Sequence, residues 1–297
     1  MKHPGRLAIM SSALIAALFG TSPTFAAPIL LGSNLATFSV LGAQTVTNTG
    51  ATTLGGSLGV APGSAITGSG TITLTGTIHA TDPIAALAQT ELTALRTGLD
   101  SLGAGSPLPA DLTTLGPLAP GVYQVPAGVT NLSGALTLDG GNNLNALWVF
   151  QMDSTLITSP NSVVNVINTG SGAGVFWNVR SSATIDTNTA FLGNILALTS
   201  ISMKTGATDL CGRALADTGA VTLEGNSLSG DCQGILNDSN GLAGGVAGTG
   251  TGDIAPGPTL VLNVPEPGSL ALMAVGLATI PLSRRRRHAR SGVHRPG

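Results

Sequence analysis

Three hydroxyl residues, Thr184, Ser202 and Thr222, form the most regular polar set in this chain. Each centres a matched pentad: Ser182-Ala183-Thr184-Ile185-Asp186, Ser200-Ile201-Ser202-Met203-Lys204 and Ala220-Val221-Thr222-Leu223-Glu224. Thr184 to Ser202 is 18 residues and Ser202 to Thr222 is 20. Neutral hydroxyls carry no charge and no activated nucleophile; what they offer is a repeated hydrogen-bonding pattern. Sets that would support catalysis do not assemble. The histidine of the central region, His79, stands in Thr-rich sequence and reads as a surface turn residue. Asp139, Asp153 and Asp186 fall on separate repeats with no paired glutamate, so a glycosidase carboxylate pair is not indicated. The sequence carries no G-x-S-x-G, Walker loop, dinucleotide fingerprint or zinc spacing. No enzyme, cofactor or metal site is expected.

A repeat this short cannot bury its own apolar side, whereas stacked coils cover one another. The expected body is therefore an all-β solenoid, a parallel β-helix. Alternation turns Ala183, Ile185, Ile201, Met203, Val221 and Leu223 inward. One outward column then reads Thr155, Thr184, Ser202, Thr222, and its neighbour Asp153, Ser182, Ser200, Ala220. A third reads Ile157, Asp186, Lys204, Glu224, whose alternating charges can pair across strands. The runner-up surface joins Thr205 and Thr208 to Thr49 and Thr52.

One segment breaks the β period. Asp82-Pro83 is a helix start, and Ile84, Leu87, Ala88, Leu92, Leu95, Leu99 and Leu102 recur at helical spacing before Gly103. A helix over 83–102 is expected to lie along the coils. Its seat is expected over Asn194-Ile195-Leu196-Ala197-Leu198 and Gly212-Arg213-Ala214-Leu215-Ala216, with Trp177 in the same layer. Cys211 and Cys232 lie 21 residues apart, close to one coil, and an exported chain oxidises them. A disulfide there contributes about 3 kcal/mol by loop entropy.

The ends read differently from the body. Lys2 and Arg6 precede an apolar run, Leu7 to Phe19, and small residues follow, so residues 1–26 are expected to be a signal peptide cut after Ala26. Residues 27–240 form the solenoid domain and the Gly-rich stretch 241–263 a linker. Residues 264–290 hold Val264-Pro265-Glu266-Pro267, an apolar stretch and Arg284-Arg285-Arg286-Arg287. This ending resembles the PEP-CTERM sorting signal of Gram-negative bacteria. The resemblance implies a processing peptidase at the inner membrane and a destination outside the cell, released or attached. Removing both ends leaves only Arg96, Arg180, Lys204 and Arg213 as basic residues, an acidic balance that argues against nucleic acid.

A longer series of motifs is similar to one family. Leu118-Ala119-Pro120-Gly121-Val122-Tyr123, Trp148-Val149-Phe150-Gln151-Met152, Val175-Phe176-Trp177-Asn178-Val179 and Gly193-Asn194-Ile195-Leu196-Ala197-Leu198 resemble the ice-binding (antifreeze) proteins with a discontinuous β-helix. The resemblance spans nearly the whole exported domain in the same order. It implies a right-handed β-helix of triangular section with one long helix alongside, and adsorption to ice through one flat face. Thr155, Ser182, Thr184, Ser200, Ser202 and Thr222 are then the expected ice-facing set. The other class that fits is a non-catalytic surface or matrix protein that sticks to exopolysaccharide or other cells. Its aromatic residues Tyr123, Trp148 and Trp177 lie in strands that read as buried, which favours ice over sugar.

Overall fold

Apolar residues alternate with hydroxyls through short strands, and that period of two folds them into parallel ladders. The computed structural model describes residues 31–232, 236 and 239–244. The expected signal peptide 1–26, the linker beyond Gly244 and the sorting signal 264–290 lie outside the described residues. Within them the chain is a parallel β-helix with one α-helix, as expected.

One face is a six-stranded parallel sheet, in the order Leu156–Ile157, Ala183–Ile185, Ile201–Met203, Val221–Glu224, Thr45–Thr49, Ala65–Thr67. Chain order and spatial order part company here: the first coils stack beyond the last. Val221 and Thr222 lie opposite Val46 and Thr47, and Ser227 and Leu228 opposite Thr53 and Leu54. Val40 and Leu41 lie opposite Ala214 and Leu215. Together these pairings make a seam between the two ends of the domain.

The helix Pro83–Asp100 lets the chain cross back. Asp82 caps it, accepting a hydrogen bond from the Ala85 N–H at 2.9 Å. It ends two residues before the expected Leu102. Ala85, Ala88, Leu92, Leu95 and Leu99 are buried, whereas Ile84 and Leu87, expected in the stripe, face solvent. Beneath lie strands buried on both sides, among them Leu147–Met152 and Gly174–Val179. Leu196 and Leu215 pack in this layer, as expected. Trp177 does not. Alternation with Val175 and Val179 turns it into the core, stacked on Phe150 at 4.1 Å, and Phe176 takes the place under the helix. Polar contacts set the helix position: Gln89 Nε2 donates to the Ala216 carbonyl at 3.1 Å, and Arg96 pairs with Asp217 at 2.9 Å.

His79 is in a strand, Ile78–Ala80, rather than a turn, with Nδ1 2.6 Å from Asp82 and its ring against Phe38. Cys211 and Cys232 are disulfide-bonded. The domain also runs past its expected end at 240. Asn194 Nδ2 donates to the carbonyls of Gly241 and Leu242, both at 2.9 Å, and Gly241 to Gly244 are buried.

Asp209 points into the core of the third face, beside Phe191 and Leu228 in the ladder. Its carboxylate oxygens have no hydrogen-bond partner among the described residues. Burial pushes its pKa well above the usual carboxylate range, against the nearby but poorly aligned backbone N–H of Cys211, the positive charge of Arg213 and the backbone N–H of Gly193. Between the unfolded and the folded pKa, the folded state therefore holds a proton that the unfolded chain releases. The associated stability is complete below the unfolded pKa of about 4 and is lost as pH rises toward the folded value. Asp209→Asn should gain stability relative to the parent, and gain more at pH 8 than at pH 4.5. Thermal melts at both pH values test this; an equal shift at the two would show that Asp209 is ionised in the fold.

Candidate functional site

The six-stranded sheet lies away from the helix, which packs on the layer of Val149, Phe176, Leu196 and Leu215, so its outward side chains form an available surface. Apolar residues drive the ladder: Leu156, Ala183, Ile201, Val221 and Val46 point inward in register and are buried. Every residue between them must then point out. The central outward column reads Ile157, Thr184, Ser202, Thr222, Thr47, Thr67. Five of the six carry hydroxyls, and none of these hydroxyls makes a hydrogen bond within the described chain. Strands about 4.8 Å apart put the five on a straight line about 19 Å long.

The structure brings together Thr184, Ser202 and Thr222 from the expected set and adds Thr47 and Thr67. A pattern in the sequence marks both additions: Thr45-Val46-Thr47 and Ala65-Ile66-Thr67 match Ala220-Val221-Thr222. Thr155 does not join this column. Buried Leu156 takes the inward position opposite Ala183, so Ile157 stands opposite Thr184 and Thr155 falls in line with Ser182.

Ser182 and Ser200 belong to the flanking column and are already engaged. Ser182 Oγ lies 2.6 Å from Thr199 Oγ1 and accepts from the Ser200 N–H at 3.3 Å. Ser200 Oγ accepts from the Ala220 N–H at 3.1 Å. These hydroxyls staple one coil to the next at the corner. The expected charged column is reduced to one cross-strand pair, Lys204 Nζ to Glu224 Oε1 at 3.1 Å. Asp186 instead turns to the backbone N–H of Thr187 at 2.7 Å. The charges thus line one border of the face and leave its centre neutral.

The runner-up residues do not form a plane. Thr52 is buried and donates to Asn48 Oδ1 at 2.6 Å. Thr205 sits at a corner, its hydroxyl 3.3 Å from Glu224, and Thr208 lies on the third face, in line with Ser227. Thr49 ends the charged border, opposite Glu224. The third face itself is uneven: a register shift falls between Phe191 and Gly193, and a groove of about 520 Å³ opens between Asn165, Ile167, Leu192 and Leu210.

With this geometry established, comparisons place the chain among known proteins. The model of the family described as ice-binding-like matches residues 40–229, and that of the PEP-CTERM protein-sorting motif matches residues 263–287. An ice-binding protein of Nostoc sp. (strain HG1) is 42% identical over 233 residues, 78% of this chain and 85% of the relative. The crystal structure of an ice-binding protein from an Antarctic biological consortium superposes with a TM-score of 0.62 at 36% identity, covering 70% of this chain and 93% of the other. That of an ice-binding protein from the Antarctic ascomycete Antarctomyces psychrotrophicus gives 0.60 at 33% identity, covering 66% and 95%.

The Lys204–Glu224 pair is half-exposed, so its contribution is small. Glu224→Gln should lower stability by no more than about 1 kcal/mol in urea denaturation. A larger loss would show that this border, rather than the apolar ladder, holds the strands in register.

Proposed function

Because this chain belongs to the ice-binding-like family, we propose that it adsorbs to ice through the central column of its six-stranded face: Thr184, Ser202, Thr222, Thr47 and Thr67. One observation carries the reading: an in-register row of hydroxyls with no hydrogen-bond partner among the described residues, held on a backbone ladder. Ice presents a repeating lattice of water. A surface that matches it needs regular spacing and groups free to order water, not a few strong contacts. Each threonine supplies a methyl group that restrains neighbouring water and a hydroxyl that joins it. Backbone pairing, on both sides of every strand of the row except the terminal Ala65–Thr67, fixes the spacing, so little conformational entropy remains to be lost on adsorption.

Ser182 and Ser200 flank the column and contribute shape more than free hydrogen bonds. The activity is adsorption, without a catalytic step or a bound cofactor. The sorting motif at 263–287 supports export and delivery to the outside of a Gram-negative cell, where ice forms. Cleavage near Pro265-Glu266-Pro267 by an inner-membrane peptidase belongs to the same reading, as does removal of residues 1–26.

The test is thermal hysteresis and ice-crystal shape. Thr184→Tyr and Ser202→Tyr each place a ring in the middle of the row and hold neighbouring coils off the lattice. Hysteresis should fall at least about tenfold, while stability changes by only about 0.5 kcal/mol, the usual range for surface positions. Thr53→Tyr, on the third face, should retain full activity. If the row variants stay active and Thr53→Tyr does not, the adsorbing face is a different one.

A further inference from the structure

The two ends of the solenoid are finished differently. At one end, the chain from Ser106 to Leu132 forms a last partial coil, in which Gly121–Val125 pairs with Leu147–Met152 and the edge strand Ser106–Pro107 carries a proline. Leu112, Leu132 and Leu156 are at most 1% exposed there. Asp111 holds this partial coil in place, accepting from the Thr113 N–H at 3.1 Å and from the Ser133 hydroxyl at 2.5 Å.

The other end consists of the coil Ala65–Thr67, Ile72–Leu74 and Ile78–Ala80, one short strand on each face. Each strand is paired on one side only, with Thr45–Thr49, Thr52–Gly55 and Ser57–Val60 respectively. No described strand covers the outer edges. The core columns also end unprotected. Ile66 continues the column of Val46, Leu74 that of Leu54, and Ile78 that of Leu58. Val46, Leu54 and Leu58 are fully buried, whereas Ile66 and Leu74 are half-buried and Ile78 is 41% exposed. Soluble β proteins usually guard such edges with charge, a proline or a bulge. From Gly63 to Thr81 this chain has no Asp, Glu, Lys, Arg or Pro.

We infer that this end is an interface for a second copy of the chain, seated end to end on the first. The occupant follows from the shape of what is unpaired. Three edges lie around one triangular coil, with an apolar centre, and a single added strand or helix satisfies only one of them. A coil of the same perimeter satisfies all three. A two-fold axis perpendicular to the solenoid and normal to one face reverses the partner's strands, so every new pair is antiparallel and the backbone edge is its own complement. The same rotation closes Ile66, Ile72, Leu74 and Ile78 against one another, and the coil carries no Asp, Glu, Lys or Arg to repel, its one titratable side chain, His79, being turned to Asp82. When the axis is normal to the six-stranded face, Thr67 of each copy meets at the junction and the two hydroxyl rows run on as one surface. The interface rests on the open end alone and holds whether or not that surface meets ice.

Sedimentation velocity and small-angle X-ray scattering on the full chain, purified after export, test this. The expected species has twice the mass of one chain and nearly twice its longest dimension. Ile78→Lys puts charge at a position that is already 41% exposed and should raise the dissociation constant at least about tenfold. Ser106→Lys, at the closed end, should leave it unchanged. A protein that stays monomeric up to its solubility limit overturns the inference, and a monomer whose amides at 65–67, 72–74 and 78–80 resist hydrogen exchange shows that a segment of its own chain fills the end. A dimer of unchanged length is side by side and equally contrary. Should Ile78→Lys fail to fold, the scattering length of the parent still decides.

Discussion

Everything on the six-stranded face depends on the seam where the first coil stacks on the last. Parallel strands pair one residue at a time, and a slip of one residue would turn a strand's outward set inward. At the seam, Val221 opposite Val46 sets that choice and brings Thr47 into line with Thr222. Without it the row would stop at Thr222. Buried polar groups tie the seam in a way that hydrophobic contact alone does not. Arg213 is fully buried and donates to the Asn194 side chain at 3.0 Å, the Ala36 carbonyl at 2.9 Å and Asn240 Oδ1 at 2.6 Å. It thereby joins the beginning, middle and end of the domain. Burial lowers its pKa to about 10, so it remains charged at neutral pH, and removing it would leave several buried acceptors unpaired. At the adjoining corner, Asn226 donates to the carbonyls of Lys204 and Ala207, and its own N–H reaches Thr52 Oγ1 across the seam at 3.1 Å.

Local pattern made much of this legible. The pentads around Thr184, Ser202 and Thr222 are in register because inward apolar residues alternate with outward polar ones, and that period survives any context. Helix capping at Asp82-Pro83 is equally local. Stacking order is not. Thr45-Val46-Thr47 matches Ala220-Val221-Thr222 as a strand, but the match does not say that a coil more than 170 positions away is its neighbour. The pairing also places Asn48 opposite Leu223, so the inward match that would have flagged the repeat is broken. Thr155 stands outside the expected column for a related reason. Local sequence does not say whether Thr155 or Leu156 turns inward with Ala183, and only the pairing and burial of Leu156 set the register. Trp177 illustrates the limit for strands buried on both sides: each side reads as apolar, and only the pairing of Val175 and Val179 says which residues face the core.

The face divides its hydroxyls between two uses. Ser182 and Ser200 spend theirs on the backbone of the next coil, which keeps the corner tight. The central row spends none, and its rigidity comes from backbone pairing and from the apolar residues beneath. Charge is confined to a border where Lys204 meets Glu224. This separation lets a chain with only 9% charged residues present a surface that is polar and regular, yet free of strongly hydrated ions at its centre.

The claim that the seam completes one functional row is tested most directly at Thr47, which reaches the row only through the fold. Thermal hysteresis of Thr47→Tyr should fall as far as it does when a residue of the later coils is blocked, with the melting temperature nearly unchanged. Full hysteresis in a folded Thr47→Tyr protein would mean that the first coil lies outside the adsorbing surface, and that the row does not act as a unit across the seam.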